Sequence, residues 1–381
     1  MPPTLIDTPA GLDRALAALA GAEWIAVDTE FLRERTYYPK LCLLQLAGGD
    51  ADFVIDPLAL SDLSPVHEFL AEPHRVKILH AARQDLEALQ RGGIALRDGL
   101  FDTQTAATLI GHPEQVSYAW LVAHFCDVSL DKSQTRTDWS RRPLSDAQLL
   151  YAQDDVRYLG RLYAALRSTL AETGKLAWLW EETAALDGAM VAAEDPEQAW
   201  RRLRGLGGLP GPLALARGKA LARWREHTAQ QEDLPRGWLL KDEVLLAVAA
   251  LASLDMHSLG ALPGIAPATV RRHGSELLHV HGTANAEDAP PQWRLTSEGN
   301  RLLGELQADV RRIAAENNVA PGLLASRRDL EALLLGEPPA RMLTGWRGAL
   351  LGVPLRARAD ALPLEARRQA AEGGPRPRRR N

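Results

Sequence analysis

Asp28 and Glu30 are acidic residues two positions apart that together could bind a divalent cation. Asp28 ends the apolar run at residues 23–28, which predicts a β-strand, and alternation along a strand would place both side chains on one face. Adjacent carboxylates repel each other unless a cation neutralises them, so a hard divalent metal ion accounts for the pair economically. The alternative is a solvated strand end.

Three further residues could act with this pair, and each also has a structural explanation. Asp85 lies five residues beyond a predicted strand at residues 76–80, in the first turns of a predicted helix, where the helix dipole alone would stabilise a carboxylate. Tyr151 and Asp155 are four residues apart in a helical pattern and therefore share one helix face. Taken alone, such a pair is typical of a protein surface.

The order and local spacing of these residues resemble those of the DEDD exonucleases of the tyrosine subclass. Two segments are similar to motifs of the ribonuclease D family. The first is residues 24–46, which contain Asp-Thr-Glu, and the second is residues 132–156, which contain Tyr-Ala-Gln-Asp-Asp. Residues 221–236 resemble the helicase-and-ribonuclease-D C-terminal (HRDC) domain. The resemblance extends over nearly the whole chain.

This resemblance implies an α/β N-terminal domain, with an RNase H-like mixed sheet flanked by helices, followed by two all-α HRDC-type domains. It also implies a 3′-to-5′ exoribonuclease with a two-metal-ion mechanism that trims the 3′ ends of tRNA precursors and other structured RNA. By motif, the four carboxylates would hold two Mg²⁺ or Mn²⁺ ions, and the tyrosine would orient the attacking water. The implied catalytic residues are Asp28, Glu30, Asp85, Tyr151 and Asp155.

The order of predicted elements agrees with a mixed sheet. Strands are predicted at residues 23–28, 41–47, 52–56 and 76–80, and a linker of hairpin length between the second and third favours antiparallel pairing. A helical pattern precedes the fourth strand, which predicts a three-stranded meander followed by a crossover. The apolar spacing at residues 149–166 predicts one long helix that begins after Ser145.

Breaks in composition predict the domain boundaries. Residues 1–195 would form the exonuclease domain, and residues 196–212, rich in glycine and proline, a linker. The first HRDC domain is predicted at residues 213–283 and, after a second linker at 284–296, a second HRDC-like domain at 297–370. Similar patterns at residues 227–242 and 314–329 indicate an internal repeat. Residues 371–381 are predicted to be a disordered basic tail.

The composition argues against a membrane protein, because no apolar run reaches the roughly 18 residues that a bilayer span needs. The first residues lack the pattern of a secretory signal. Cys42 and Cys126 cannot build a zinc site or a disulfide framework, so both are predicted to be buried and reduced, which favours a cytoplasmic location. The net charge is −5, but residues 301–381 contain fifteen arginines against nine acidic residues. This asymmetry predicts that the C-terminal half contributes RNA affinity.

Lys132 and Arg136 precede the third motif and could contact RNA phosphates, with a solvated basic loop as the alternative. Trp139, in the same stretch, is predicted to be a core residue. Two other functions compete with RNA trimming. A proofreading DNA 3′-5′ exonuclease has the same metal chemistry but works beside a polymerase, for which the chain has too little sequence. A non-catalytic RNA-binding protein with a vestigial site is disfavoured by the complete set of carboxylates.

Overall fold

The computed structural model of the protein describes residues 3, 5–96, 98–131, 134, 137–190 and 195–370. Its packing divides the chain into two compact units. The first comprises Met1–Arg33, Pro39–Val191 and Arg301–Leu362, and the second comprises Glu34–Tyr38, Ala192–Asn300 and Pro363–Asn381. Within the described ranges, no helix combines the length and the hydrophobicity that crossing a bilayer requires.

A six-stranded mixed sheet forms the centre of the first unit. Its strands are β1 (Leu5–Ile6), β2 (Trp24–Leu32), β3 (Lys40–Gly48), β4 (Ala51–Ile55), β5 (Val76–Leu79) and β6 (Leu100–Asp102), in the spatial order β1-β4-β3-β2-β5-β6. The antiparallel meander of β2, β3 and β4 and the crossover to β5, parallel to β2, are confirmed. Strands as short as β1 and β6 show no alternation pattern, so the sequence did not predict them.

Helices make up most of the remaining structure. In chain order they are α1 (Pro9–Leu19), α2 (Ser64–Leu70), α3 (Arg83–Arg91), α4 (Thr103–Leu109), α5 (Tyr118–Cys126), α6 (Asp146–Arg157), α7 (Leu159–Glu172), α8 (Leu176–Met190), α9 (Gly211–Glu232), α10 (Arg236–Leu239), α11 (Asp242–Ala250), α12 (Met256–Gly260), α13 (Pro267–Thr283), α14 (Ser297–Glu316), α15 (Pro321–Leu324), α16 (Arg327–Leu335), α17 (Ala340–Leu343), α18 (Gly345–Arg347), α19 (Val353–Asp360) and α20 (Leu364–Arg367). Helices flank the sheet of the first unit, which confirms the predicted fold class.

The two faces of the sheet carry different apolar clusters. Leu44 and Leu46 of β3 belong to a larger cluster that includes residues of α1, α2 and α3. Leu43 belongs to a smaller cluster with Trp139 and with Ala152 of α6. Cys42 and Cys126 are both buried and unpaired, as predicted. The face that α6 covers is the one on which the candidate site lies.

The prediction of one long helix after Ser145 is wrong. The structure has two helices there, α6 and α7, which meet at Tyr158. The backbone N–H of Tyr158 is donated to the hydroxyl of Tyr118 at 3.3 Å, a side-chain partner from a different helix. Ser145 does cap α6, since its hydroxyl accepts from Gln148 N and the Gln148 side chain accepts from Ser145 N. Apolar spacing alone continues across both helices and could not reveal the break.

The second unit is mostly helical, with α9 to α13 and α20. The predicted linker at residues 196–212 contains two 3-10 helices, Pro196–Arg202 and Leu206–Gly208, and its leucines are buried with residues of α9 and α11. A two-stranded antiparallel ladder of β7 (Trp293–Leu295) and β8 (Arg368–Ala370) adds to the helices. The predicted domain boundaries stay a prediction.

The predicted internal repeat has a counterpart in the backbone. After α9 comes Asp233 in the left-handed conformation (φ 49°), then the four-residue α10 and the nine-residue α11. After α14 comes Asn318, also left-handed (φ 47°), then the four-residue α15 and the nine-residue α16. The same order of elements supports the repeat, while the HRDC-like character of its second copy remains a prediction.

Residues 301–362 pack within the first unit, around α8. Lys175 Nζ donates to the carbonyls of Leu109 and Asn318, both at 2.9 Å. The ring of Trp346 stacks on that of Trp178, with centroids 4.6 Å apart and planes inclined by 9°. Two helical stretches that are far apart in the sequence thus share one core.

Candidate active site

Strand β2 and helix α6 bring together three carboxylates from distant parts of the sequence. Asp28 and Glu30 lie on one face of β2, and Asp155 lies on α6, which packs against β2, β3 and β4. One carboxylate oxygen from each residue lies within 4.8 Å of the others. Oxygens this close can converge on one shared cation with small adjustments of their side chains.

These carboxylates lie beyond the end of a neighbouring strand. The pairing of β2 with the parallel strand β5 stops at Ala26 opposite Ile78, whereas β2 continues to Leu32. Asp28 and Glu30 therefore stand past the carboxyl end of β5. In open α/β sheets, this edge is where ligands usually bind.

The turn after β5 is held by Asp102. Its carboxylate accepts the backbone N–H groups of Ala81 and Ala82 at 3.3 and 2.8 Å, just before α3 begins. It also accepts those of Gln104 and Thr105, at 2.8 and 3.0 Å, and so caps α4. Because one side chain fixes both helix starts, the first turn of α3 has a defined position beside β2.

Asp85, in the first turn of α3, is hydrogen-bonded to Thr29 of β2. Thr29 Oγ1 donates to Asp85 Oδ1 at 2.6 Å, and both residues are buried. Alternation along β2 directs Thr29 away from the face of Asp28 and Glu30. Asp85 is not among the three residues with oxygens within 4.8 Å of one another. The structure therefore places it next to this group, and its ligand role stays a prediction.

Burial raises the pKa of all four carboxyls, and the charges of neighbouring acids add to this effect. Burial is the largest cause for Asp28, followed by the charges of Asp85, Asp155 and Glu30, and its pKa rises well above the usual value. The pKa of Glu30 rises to about 9 through burial and then the charges of Asp155 and Asp85. Burial raises the pKa of Asp155 to about 7, with smaller contributions from neighbouring acids. Burial also raises the pKa of Asp85 to about 6, although its hydrogen bond from Thr29 acts to lower it.

These pKa values show why the residues fit a divalent cation. The raised pKa values show that ionising these carboxyls is unfavourable, mainly because they are buried and, for Asp28, Glu30 and Asp155, also because neighbouring acids repel them. A divalent cation would offset the repulsion, and carboxylate oxygens are its preferred ligands. The acidic cluster of Asp28, Glu30 and Asp155 is therefore a candidate metal site.

The metal-free protein is expected to lose stability as the pH rises from about 5 to about 9, and Mg²⁺ is expected to cancel most of this loss. A carboxyl with a raised folded pKa stabilises the fold below its unfolded pKa, near 4, and loses this contribution as the pH rises through the folded pKa. The relevant pKa values are about 6, 7 and 9 for Asp85, Asp155 and Glu30. Thermal unfolding with EDTA or with Mg²⁺ across this range measures the effect.

Glu30→Gln is the control for this pH dependence, because Glu30 has the highest pKa of these three carboxyls, at about 9. Its metal-free unfolding temperature should change less between neutral and alkaline pH than that of the unsubstituted protein. Identical pH dependences for the two proteins would show that the cluster does not cause the loss.

Tyr151 lies one helical turn before Asp155 on α6 and is half-buried. Its ring centroid is 6.0 Å from that of Trp139, which is only 3% exposed. Trp139 is thus a core residue, as predicted. The side chain of Asp154 accepts from Arg157 Nη1 at 2.8 Å, which distinguishes it from the converging Asp155.

The sequence did not single out Tyr118, the first residue of α5. Its hydroxyl donates to the Asp154 carbonyl at 2.9 Å and accepts from Tyr158 N. Burial raises its pKa far above the usual value, and the charges of Asp155 and Asp28 raise it further, so the phenol lies near the carboxylates. No motif spacing connects Tyr118 to α6, and only the tertiary packing reveals this contact.

Lys132 and Arg136, the predicted phosphate contacts, lie outside the described residues, as does the predicted basic tail at 371–381. Arg142, which follows Lys132 and Arg136 in the chain, has several hydrogen-bond partners. Arg142 Nη2 donates to Asp56 Oδ1 at 2.7 Å and to the carbonyl of Cys42 at 2.8 Å. The start of α6 is therefore anchored to β3 and to the end of β4.

Comparisons with known proteins agree with the fold. A family model described as 3′-5′ exonuclease matches residues 3–171, and one described as HRDC domain matches residues 214–280. Ribonuclease D of Granulibacter bethesdensis is 40% identical over 95% of this chain and 92% of its own length. Ribonuclease D of Pseudomonas paraeruginosa is 36% identical over 90% of this chain and 95% of its own length.

Solved structures of related nucleases also resemble this chain. The crystal structure of Escherichia coli RNase D, described as an exoribonuclease involved in structured RNA processing, matches with a TM-score of 0.86 and 31% identity, over 95% of this chain and all of that one. The catalytic core of RRP6 from Trypanosoma brucei matches with a TM-score of 0.60 and 27% identity, over 74% of this chain and 79% of that one. With this fold, these relatives and the converging carboxylates, the chain belongs to the ribonuclease D family of 3′-to-5′ exoribonucleases.

Proposed function

We propose that this exoribonuclease removes nucleotides from the free 3′ end of RNA by a two-metal-ion mechanism, with Asp28, Glu30, Asp85 and Asp155 as the metal ligands. The observation that carries the proposal is the convergence of three carboxylates with raised pKa values past the end of β5. Asp85 stands beside them, positioned by Thr29. Two Mg²⁺ or Mn²⁺ ions are the proposed cofactors.

When bound, the two cations supply an activated water and stabilise the charge of the leaving oxygen, so no protein nucleophile is required. The protein's part is to orient the groups that hold them. Asp28 and Glu30 are fixed by a strand paired on both sides near its start, and Asp155 by a helix capped at Ser145. The Tyr151 hydroxyl, one turn from Asp155, is proposed to hydrogen-bond to the attacking water.

The proposed substrates are the 3′ ends of tRNA precursors and other structured RNA. Support comes from the Escherichia coli relative, which is described as acting in structured RNA processing and whose whole length this chain matches. Basic side chains are also more frequent in residues 301–381 than acidic ones. The cytoplasmic location that the two unpaired cysteines favour remains part of this proposal.

Incubation of a 5′-labelled RNA with the protein and Mg²⁺ tests the proposal. A ladder that shortens one nucleotide at a time from the 3′ end is expected, and EDTA should stop it. A DNA strand of the same sequence should be degraded much more slowly. Preferred cleavage of DNA would favour the proofreading-type alternative, and RNA binding without any shortening would favour a vestigial site.

Tyr151→Phe is expected to lower the maximal rate roughly ten- to a thousandfold with little change in RNA affinity, on the scale of losing one positioning contact. A phenol has an unperturbed pKa near 10, so it is protonated at neutral pH and is a poor general base. Single-turnover rates at saturating RNA, measured across the pH range, test both points.

The pH profile of Tyr151→Phe should keep the shape of the unsubstituted profile. Trp139, whose ring neighbours Tyr151, offers a check on packing, because Trp139→Phe alters the same cluster without removing the hydroxyl. A Tyr151→Phe rate equal to that of the unsubstituted protein, or loss of the ascending limb, would rule out the orienting role.

A further inference from the structure

Gln45, in the middle of β3, is a completely buried polar residue without an assigned role. Its exposed fraction is 0%. Neither its amide nitrogen nor its amide oxygen has a hydrogen-bond partner among the described residues.

The register of the sheet places Gln45 next to Asp28. The two residues are directly opposite each other in the antiparallel pairing of β2 and β3, and Val54 is the partner of Gln45 on β4. Opposite residues on antiparallel strands point to the same face, with Cβ atoms about 4.5–5.5 Å apart. The flanking residues Leu44 and Leu46 belong to the cluster on the other face. Gln45 therefore faces α6, beside the carboxylates.

A buried amide without partners is unfavourable for folding, and an apolar side chain of the same shape would avoid that cost. Gln153 of α6 differs from Gln45 in that its amide nitrogen donates to the carboxylate of Asp52, although its amide oxygen also lacks a partner among the described residues. An unsatisfied group beside a functional site is most simply explained by a partner in the working state of that site. The nearest strong acceptor by register is the carboxylate of Asp28.

We infer that Gln45 is a positioning residue of the metal site: its amide nitrogen donates to the Asp28 carboxylate, directly or through one buried water, when that carboxylate holds a cation. This inference rests on the proposed role of Asp28 as a metal ligand. A donor to one carboxylate oxygen fixes the direction of the lone pairs that remain for the cation. Such supporting contacts typically change metal affinity about 10- to 100-fold.

Gln45→Met tests the inference, because it removes the amide at nearly constant volume. The Mn²⁺ dissociation constant, measured by isothermal titration calorimetry, is expected to increase at least about tenfold. The metal-free unfolding temperature is expected to stay equal or to rise, since an unsatisfied amide is lost. Leu43→Met, on the same strand and beside Glu30, is the matched control and should leave Mn²⁺ affinity unchanged.

Each outcome decides the question. Mn²⁺ affinity within about twofold of the unsubstituted value in Gln45→Met overturns the inference, and so does a lower metal-free unfolding temperature, which would mark a structural role. If Asp28→Asn also binds Mn²⁺ normally, the proposed metal site itself is wrong. If Asp28→Asn loses binding while Gln45→Met keeps it, only the role of Gln45 is wrong.

Should Gln45→Met not fold, the unsubstituted protein gives the answer. The side-chain amide resonance of Gln45, assigned in protein labelled with ¹⁵N and ¹³C at glutamine, should move when Mg²⁺ is added. A resonance that stays in place through saturation with Mg²⁺ would overturn the inference.

Discussion

Asp155→Asn is expected to lower the maximal rate of RNA hydrolysis at least about a thousandfold, whereas Asp154→Asn should keep it within about threefold. Asp155 offers an oxygen within 4.8 Å of those of Asp28 and Glu30. An amide in its place keeps the shape but removes the negative charge that a divalent cation needs. The rate is measured on a short 5′-labelled RNA at saturating Mg²⁺.

Asp154 is a close control, because it is the adjacent residue of the same helix. Its side chain forms a surface ion pair with Arg157, and such pairs contribute little. Circular dichroism and thermal unfolding should show that both variants are folded. Comparable losses in the two variants, or a normal rate in Asp155→Asn, would contradict the assignment of Asp155 as a metal ligand.

The sequence was most informative where the chemistry depends on local spacing. Asp28 and Glu30 alternate along one strand, and Tyr151 and Asp155 are one turn apart on one helix, so each pair was predictable without tertiary information. Their meeting was not predictable from spacing alone and required the resemblance to a family. The contribution of Thr29, which positions Asp85, depends on a hydrogen bond between residues 56 positions apart.

Other features of the fold depend on contacts that no local pattern encodes. The end of α6 at Arg157 is set where the hydroxyl of Tyr118 meets the backbone of Tyr158. Similarly, a segment rich in glycine and proline predicts a linker, yet the leucines of residues 203–209 are buried in the second unit. Their burial depends on helices that come later in the chain.

The packing of the C-terminal helices is the clearest feature that local sequence patterns did not predict. The charge asymmetry and the repeat indicated a separate helical module at residues 297–370. The structure instead groups residues 301–362 with the sheet in the first unit. Trp346 stacks on Trp178 and donates from its indole Nε1 to Glu182 at 2.7 Å. These helices therefore contribute to the core of the first unit.

Arg347→Met is expected to lower the free energy of unfolding of the first unit by about 3–5 kcal/mol, because it removes one partner of a buried ion pair. The guanidinium makes a bidentate contact with the Glu182 carboxylate, and the two side chains are only 6% and 16% exposed. Its Nε also donates to the Leu323 carbonyl at 2.6 Å. The substitution leaves a largely buried carboxylate without its cation.

Urea unfolding of the full chain, followed by the loss of RNA hydrolysis, measures this change in the unit that carries the site. Arg327→Met is the matched control, since Arg327 pairs with Glu331 one turn away on the surface, where side chains are 61% and 39% exposed. Such a pair contributes only about 0.3–0.5 kcal/mol. Equal midpoints for the two variants would mean that Arg347 does not hold the C-terminal helices in place. A chain ending at residue 300 that kept normal stability and rate would show that the catalytic unit does not need them.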